Sequence, residues 1–210
     1  VSTQLVLIPE HAALMYACFR IGAIFAPLDL RLKKEEVRRD LDKVKPKLFF
    51  CHGETPLINF NEIAEHVRDH CEYIEQIIQL VADPKKEKPV EGAISIQEMM
   101  SKGKLVFLKI KDLLTNSLKK AYKTLKESDP ALIIFTTGTT GSPKPALMSH
   151  KNILVQNEIL ARATGMSQED SVLINLPASH VACITETMMT IFYLGGTGVS
   201  FDISTVFNLF

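Results

Sequence analysis

The chain has 210 residues, 46% of them hydrophobic, enough to bury the core of one large domain or two small ones. Its 24 Lys and Arg balance 24 Asp and Glu, so no overall field recruits nucleic acid or an anionic membrane. The four cysteines, Cys18, Cys51, Cys71 and Cys183, lack the paired spacing of zinc or redox sites and read as reduced, mostly buried thiols of a cytoplasmic protein.

The chain opens on Val1 with no basic-then-apolar leader, so no secretory signal is recognisable and the beginning reads as cut. Gln4-Leu5-Val6-Leu7-Ile8 predicts a strand, and Pro9 and Glu10 then open a helix with Leu14, Met15, Cys18 and Phe19 at helical spacing, closed by Gly22. The most apolar stretch, residues 12–28, contains Arg20, Gly22 and Pro27. It falls short of the roughly 18 uninterrupted apolar residues of a spanning helix, so no membrane span is expected.

A second apolar run at Ile24-Phe25-Ala26-Pro27-Leu28 precedes a helix over residues 33–44, with Val37, Leu41 and Val44 on one face. In that helix Glu35 and Arg39 are expected to pair across one turn, whereas Lys34 and Arg38 repel mildly. Lys47-Leu48-Phe49-Phe50-Cys51 restores a strand, residues 60–71 predict a helix, and residues 74–81 a further strand. Buried strands alternating with amphipathic helices predict an α/β fold, a mainly parallel sheet covered by helices.

Residues 82–92 lapse into Asp, Pro, Lys and Glu and read as a solvated loop. Within residues 102–126 lysines recur among Leu114, Leu118, Tyr122 and Leu125 at helical intervals, which predicts a solvated amphipathic helix rather than a nucleic-acid surface. Ala131-Leu132-Ile133-Ile134-Phe135 is the strongest strand pattern. After it come a short strand at Ala146-Leu147-Met148, a helix from Ser149, a strand over residues 172–176, a helix over residues 181–193 and a strand near Val199-Ser200-Phe201. Ser204 is placed to cap a last helix carrying Val206, Phe207, Leu209 and Phe210, which is expected to continue in a longer parent protein.

The chemistry concentrates between the strong strand and the next. A polyphosphate needs converging N–H donors, hydroxyls, a cation and small residues that let backbone approach oxygen. Thr136, Thr137, Thr139, Thr140 and Ser142 supply hydroxyls, Gly138 and Gly141 the close approach, and Lys144 the charge. A turn between strands uses similar residues. The preceding buried strand, the terminal Lys and two consecutive Thr-Thr-Gly units argue against that plain reading. A Walker loop is excluded by sequence, because counting from Gly138 puts Pro143 where its second Gly belongs and Pro145 where its magnesium-binding hydroxyl belongs.

Phe135 to Lys144, with Ser149-His150 following, closely resemble the signature loop of the acyl-adenylate-forming superfamily, which includes acyl-CoA synthetases and luciferases. In that family a Gly stands where this chain has Pro145, which removes a backbone donor and stiffens the loop. Leu176-Pro177-Ala178-Ser179-His180 is similar to a second family segment, and Gly195-Gly196-Thr197 to its turn into the next strand. A His at a strand end is commonly structural, but its distance after the loop makes His180 a site candidate.

The resemblance implies a partial N-terminal adenylation domain with the C-terminal domain absent: residues 1–81 a first α/β part, 82–130 a variable loop and helix, and 131–210 an α/β part carrying the loop. It implies ATP and Mg2+ as cofactors, a carboxylic acid as substrate and coenzyme A as thiol acceptor. Lys144 and His180 are then catalytic, and Thr136 through Ser142, with Lys144, bind phosphate. It places the magnesium-binding Glu, the ribose-binding Asp, an Arg and a mobile Lys beyond Phe210, so the chain alone is expected to be inactive. A noncatalytic nucleotide- or phosphate-binding module and a purely structural fragment remain alternatives. His66 and His70, one turn apart beside Cys71, lack the Glu of the metalloprotease pattern and read as a solvated helix face. Glu186 reads as solvent-facing or as capping a polar contact.

Overall fold

In the computed structural model, residues 1–55, 58–136 and 142–200 are described. The expected terminal helix after Ser204 lies outside them. Strand β1 (Ser2–Gln4) is followed by helix α1 (Pro9–Ile21), β2 (Ala26–Pro27), α2 (Lys34–Val44), β3 (Leu48–His52), α3 (Phe60–His70), β4 (Gln76–Leu80) and β5 (Ala93–Ser95). The five strands form one sheet in the order β2-β1-β3-β4-β5, parallel throughout. Pro9 opens α1 where its missing N–H costs nothing, and Gly22 stops it at φ 74°, the left-handed conformation that a Cβ opposes.

Each strand is read on both faces. Phe49, Cys51 and Ile77 join Val37 and Leu41 of α2 and Phe60, Ile63 and Val67 of α3 in one core. Phe50 and Ile78 point the other way, toward Leu5 and Ile96. The short strand β5 and the helix α4 (Ile96–Met99) that buries Ile96 follow the solvated loop; the sequence pattern had not separated them.

The charges on α2 rearrange relative to expectation. Glu35 pairs with Arg38 at 3.4 Å and lies 3.3 Å from His66, while Arg39 turns to the adjacent Asp40. Lys34 leaves Arg38 for Glu62 of α3. Nearer partners on α2, with Glu62 and His66 of α3, displace the Glu35–Arg39 pairing that spacing alone suggests. His70 stacks on His66 at 4.2 Å and its Nδ1 meets the His66 carbonyl. Among the described residues no three His, Cys, Asp or Glu side chains converge to hold a metal, and no helix is long and apolar enough to cross a membrane.

Helices α5 (Lys102–Thr115) and α6 (Ser117–Thr124) replace the single helix expected there. They meet at Asn116 in the left-handed conformation, φ 52°, and neither has a buried residue. Strand β6 (Pro130–Thr136) then joins the sheet beside β2: the Phe25 N–H donates to the Ala131 carbonyl at 2.9 Å, and the Ile133 N–H donates to the Phe25 carbonyl at 2.8 Å, in parallel sense. Strand β7 (Lys144–Ser149) returns antiparallel to β6, a local exception to the parallel pattern. Helix α7 (His150–Thr164), strand β8 (Ser171–Ile174), a π-helical segment (Ala182–Met188), helix α8 (Met189–Tyr193) and strand β9 (Thr197–Ser200), parallel to β8, complete the described chain. A second core joins α1, β6, α7 and the π-helical segment through Met15, Phe25, Leu132, Ile153, Ile184 and Met188.

All four cysteines are buried and free. Burial pushes the Cys18 thiol up to about 11 and those of Cys51 and Cys183 to about 12, so none is a thiolate nucleophile near neutral pH.

Candidate active site

In parallel α/β sheets, ligands gather beyond the carboxyl ends of the strands. Strand β6 runs parallel to β2 and ends at Thr136, where the Thr/Gly stretch begins. Thr137, Gly138, Thr139, Thr140 and Gly141 lie outside the described residues, so the geometry concerns Thr136 and the return leg from Ser142.

Thr136 and Lys144 face each other as the last pair of the β6–β7 hairpin, and the Thr136 hydroxyl donates to the Lys144 carbonyl at 3.2 Å. That proton closes the hairpin neck, leaving the Thr136 oxygen only its acceptor capacity. The Lys144 side chain is exposed and has no hydrogen-bond or ion-pair partner among the described residues. Pro145 stands opposite Phe135 in β7, which pairs on one side only among the described strands. A residue without an N–H is tolerated on such an edge.

The return leg is held by a residue that sequence reasoning missed. The Lys43 ammonium of α2 donates to the Ser142 hydroxyl oxygen at 2.9 Å, to the Pro143 carbonyl, and to Asp40 Oδ1 at 3.2 Å. Asp40 is only 1% exposed. Nothing in the sequence distinguishes Lys43 from its neighbours on a charged helix; the contact spans 99 residues and exists only in the fold.

His180 lies past β8, at the entry to the π-helical segment. Its backbone N–H donates to the Pro177 carbonyl at 2.9 Å, and its Nδ1 accepts the Ala182 N–H at 3.2 Å. A neutral ring bonded in this way carries its proton on Nε2, an exposed donor. Asp29, just beyond β2, feels His180 across the gap. Burial pushes the Asp29 carboxyl up, but hydrogen bonds and charge from Arg31 outweigh it, with a smaller pull from His180, and the group titrates below the ordinary carboxylate range. Asp29 and Arg31, bonded at 2.6 Å, were also missed; their place after the Pro27-Leu28 strand end was the available signal.

His150 has a structural place. Ser149 caps α7, its hydroxyl accepting the Asn152 N–H at 3.2 Å while Asn152 Oδ1 accepts the Ser149 N–H at 2.9 Å. The His150 ring meets Phe19 of α1 edge-on at 5.6 Å and borders a cavity of about 720 Å³ shared with Tyr122 of α6. Glu186 is exposed, its Oε1 accepting from Gln156 at 3.4 Å. The turn after α8 has a steric requirement: a Cβ at Gly196 would stand 2.5 Å from Ile191 Cδ1 and 2.9 Å from the Asp170 carbonyl oxygen.

The family profile described as AMP-binding enzyme matches residues 1–209. The chain is 28% identical over 204 residues to an indoleacetate–CoA ligase of Aromatoleum aromaticum, covering 95% of this chain and 35% of that protein. It is 22% identical over 196 residues to the medium-chain fatty-acid–CoA ligase of Escherichia coli K12, covering 93% and 32%. Thus the chain spans about a third of the length of these curated relatives. Among solved structures, ATP-bound MatB from Rhodopseudomonas palustris superposes with a TM-score of 0.67 at 18% identity, over all of this chain and 37% of that one, a likeness of fold.

Proposed function

Because the chain belongs to the AMP-binding enzyme family, we propose that it is part of an acid–thiol ligase that activates a carboxylic acid with ATP and passes the acyl group to coenzyme A. A carboxylate resists nucleophiles because its charge is delocalised and it lacks a leaving group. In the proposed reaction its oxygen attacks the α-phosphorus of ATP, the bond to the bridging oxygen breaks and pyrophosphate departs. The thiol sulfur then bonds to the acyl carbon, AMP leaves and the thiol proton passes to solvent. Positioning and charge neutralisation do most of the work of such a step.

The observation that carries this reading is the Lys144 ammonium, exposed and without a partner among the described residues at the neck of the Thr/Gly stretch. It is a charge available to the β- and γ-phosphates, alongside the proposed phosphate ligands Thr137 through Ser142; Thr136 joins them once its hydroxyl turns from the Lys144 carbonyl. His180, an exposed residue whose Nδ1 accepts the Ala182 N–H, is the proposed donor, through Nε2, to an oxygen of the carboxylate or α-phosphate. Magnesium would be held by the nucleotide phosphates and the Glu expected beyond Phe210, and would neutralise phosphate charge there.

The expected division into residues 1–81, 82–130 and 131–210 of one partial N-terminal domain accompanies this reading, with a cytoplasmic location and fatty acid metabolism as its setting. Lys144→Ala in the full-length protein should lower kcat/KM for ATP by roughly 100-fold in carboxylate-dependent pyrophosphate exchange. An unchanged value would remove Lys144 from the reaction. The 210-residue chain by itself should bind ATP calorimetrically without supporting exchange; exchange by the chain alone would overturn that expectation.

A further inference from the structure

We infer that Lys43 and Asp40 of α2 form a positioning device that turns the Ser142 hydroxyl into a dedicated donor for the nucleotide phosphates, an inference that rests on the proposed ATP reading. An ammonium has three N–H donors, and Lys43 uses them on Asp40 Oδ1 at 3.2 Å, Ser142 Oγ at 2.9 Å and the Pro143 carbonyl. With its charge committed in this way, Lys43 is an anchor rather than a second free cation beside Lys144.

The consequence falls on Ser142. A hydroxyl has one proton and two lone pairs. By donating to the Ser142 oxygen, Lys43 occupies an acceptor position, polarises the O–H and leaves the proton to be given elsewhere. The Pro143 contact fixes the adjoining backbone, so the direction of that proton is set from α2, a helix 99 residues away in sequence.

Asp40 explains why Lys43 stays in place. A carboxylate 1% exposed is costly unless cations meet it, and its Oδ1 takes both Lys43 and Arg39, the latter at 3.1 Å. Its Oδ2 has no hydrogen-bond partner among the described residues. The acid fixes which way the ammonium leans, toward Ser142.

The test compares Lys43→Met, Ser142→Ala and the double variant in the full-length protein, with Lys144→Ala as reference. Lys43→Met should raise the KM for ATP about tenfold, the loss of one charge-assisted contact, with the KM for the carboxylate unchanged. Ser142→Ala should do the same, the double variant should be no worse than either single, and Lys43→Arg should recover part of the loss. Additive single effects, or equal rises in both KM values, would overturn the inference. If Lys43→Met does not fold, a Ser142→Ala protein with unaltered ATP KM overturns it instead. Should Lys144→Ala also leave ATP use unaltered, the phosphate reading itself fails, a result separate from failure of the Lys43 coupling alone.

Discussion

Two helical layers of this chain mix apolar residues with charged ones and have opposite fates. In the α2–α3 layer Val37, Leu41, Phe60 and Val67 are all fully enclosed, and the charged edges pair across the helices. In the α5–α6 layer Phe107, Leu113 and Leu114 are 64%, 78% and 78% exposed, and the elbow is held by local polar bonds: Asp112 Oδ1 accepts from the Leu118 N–H and the Ser117 hydroxyl, each at 2.8 Å. Helical periodicity states which face is apolar; only a partner surface converts that face into stability.

The contrast can be broken most forcefully at Phe60. Phe60→Ala should cost about 3–5 kcal/mol, because the void lies between two helices and a sheet that cannot collapse into it; denaturant unfolding of the full-length protein measures it.

Acid should come next and should act on the sheet side. Burial pulls the His11 imidazole down to about 4, despite a hydrogen bond to the Val6 carbonyl that raises it, and the ring also meets the Thr3 hydroxyl at 2.9 Å. Burial, with the charge of His11, likewise brings His52 to about 4. The unfolded chain therefore binds the extra protons between pH 6.5 and 4. Stability is full above that window and falls as pH drops through it, by about 3 kcal/mol for His11 alone. An unfolding midpoint flat from pH 7 to pH 4 would show that these rings are not held neutral.

Smaller and local is the effect of Asp112→Ala. Hydrogen exchange in the first turn of α6 should quicken while the global midpoint stays in place, since the elbow bonds are exposed. Smallest of all, Leu113→Ala should change stability by no more than about 0.5 kcal/mol. A loss of several kcal/mol there would mean that the exposed layer is covered in the full-length protein.

The same contrast explains what could be read from sequence. The order of strands and helices up to Val81 was legible because each apolar period finds its partner in the fold, but the first strand pairs over Ser2–Gln4, ahead of the predicted Gln4–Ile8 run. Gly22 marked the end of α1 for a stereochemical reason. The split at Asn116 was not legible, since it depends on a single left-handed residue inside a lysine-rich run. Among the candidate site residues, Lys144, Thr136 and His180 could be named from local motifs. Lys43 could not, because its meaning comes from a contact 99 residues away; Asp40, Asp29 and Arg31 pair locally but carry no motif that marks them. The Ser149-His150 pair was read as motif and is, in the described geometry, also a helix cap and a ring packed on α1.

Pro145 has a further consequence, for solubility. Strand β7 is an outer strand among those described, and outer strands invite pairing with other molecules. A proline one residue from its start interrupts the row of N–H groups that a second chain would need, and the neighbouring lysine charge repels an identical edge. Pro145→Gly would thus do two things at once: restore a backbone donor beside the Thr/Gly stretch and open a template for intermolecular β-pairing. Light scattering of that variant at rising concentration should show self-association that the unaltered protein resists.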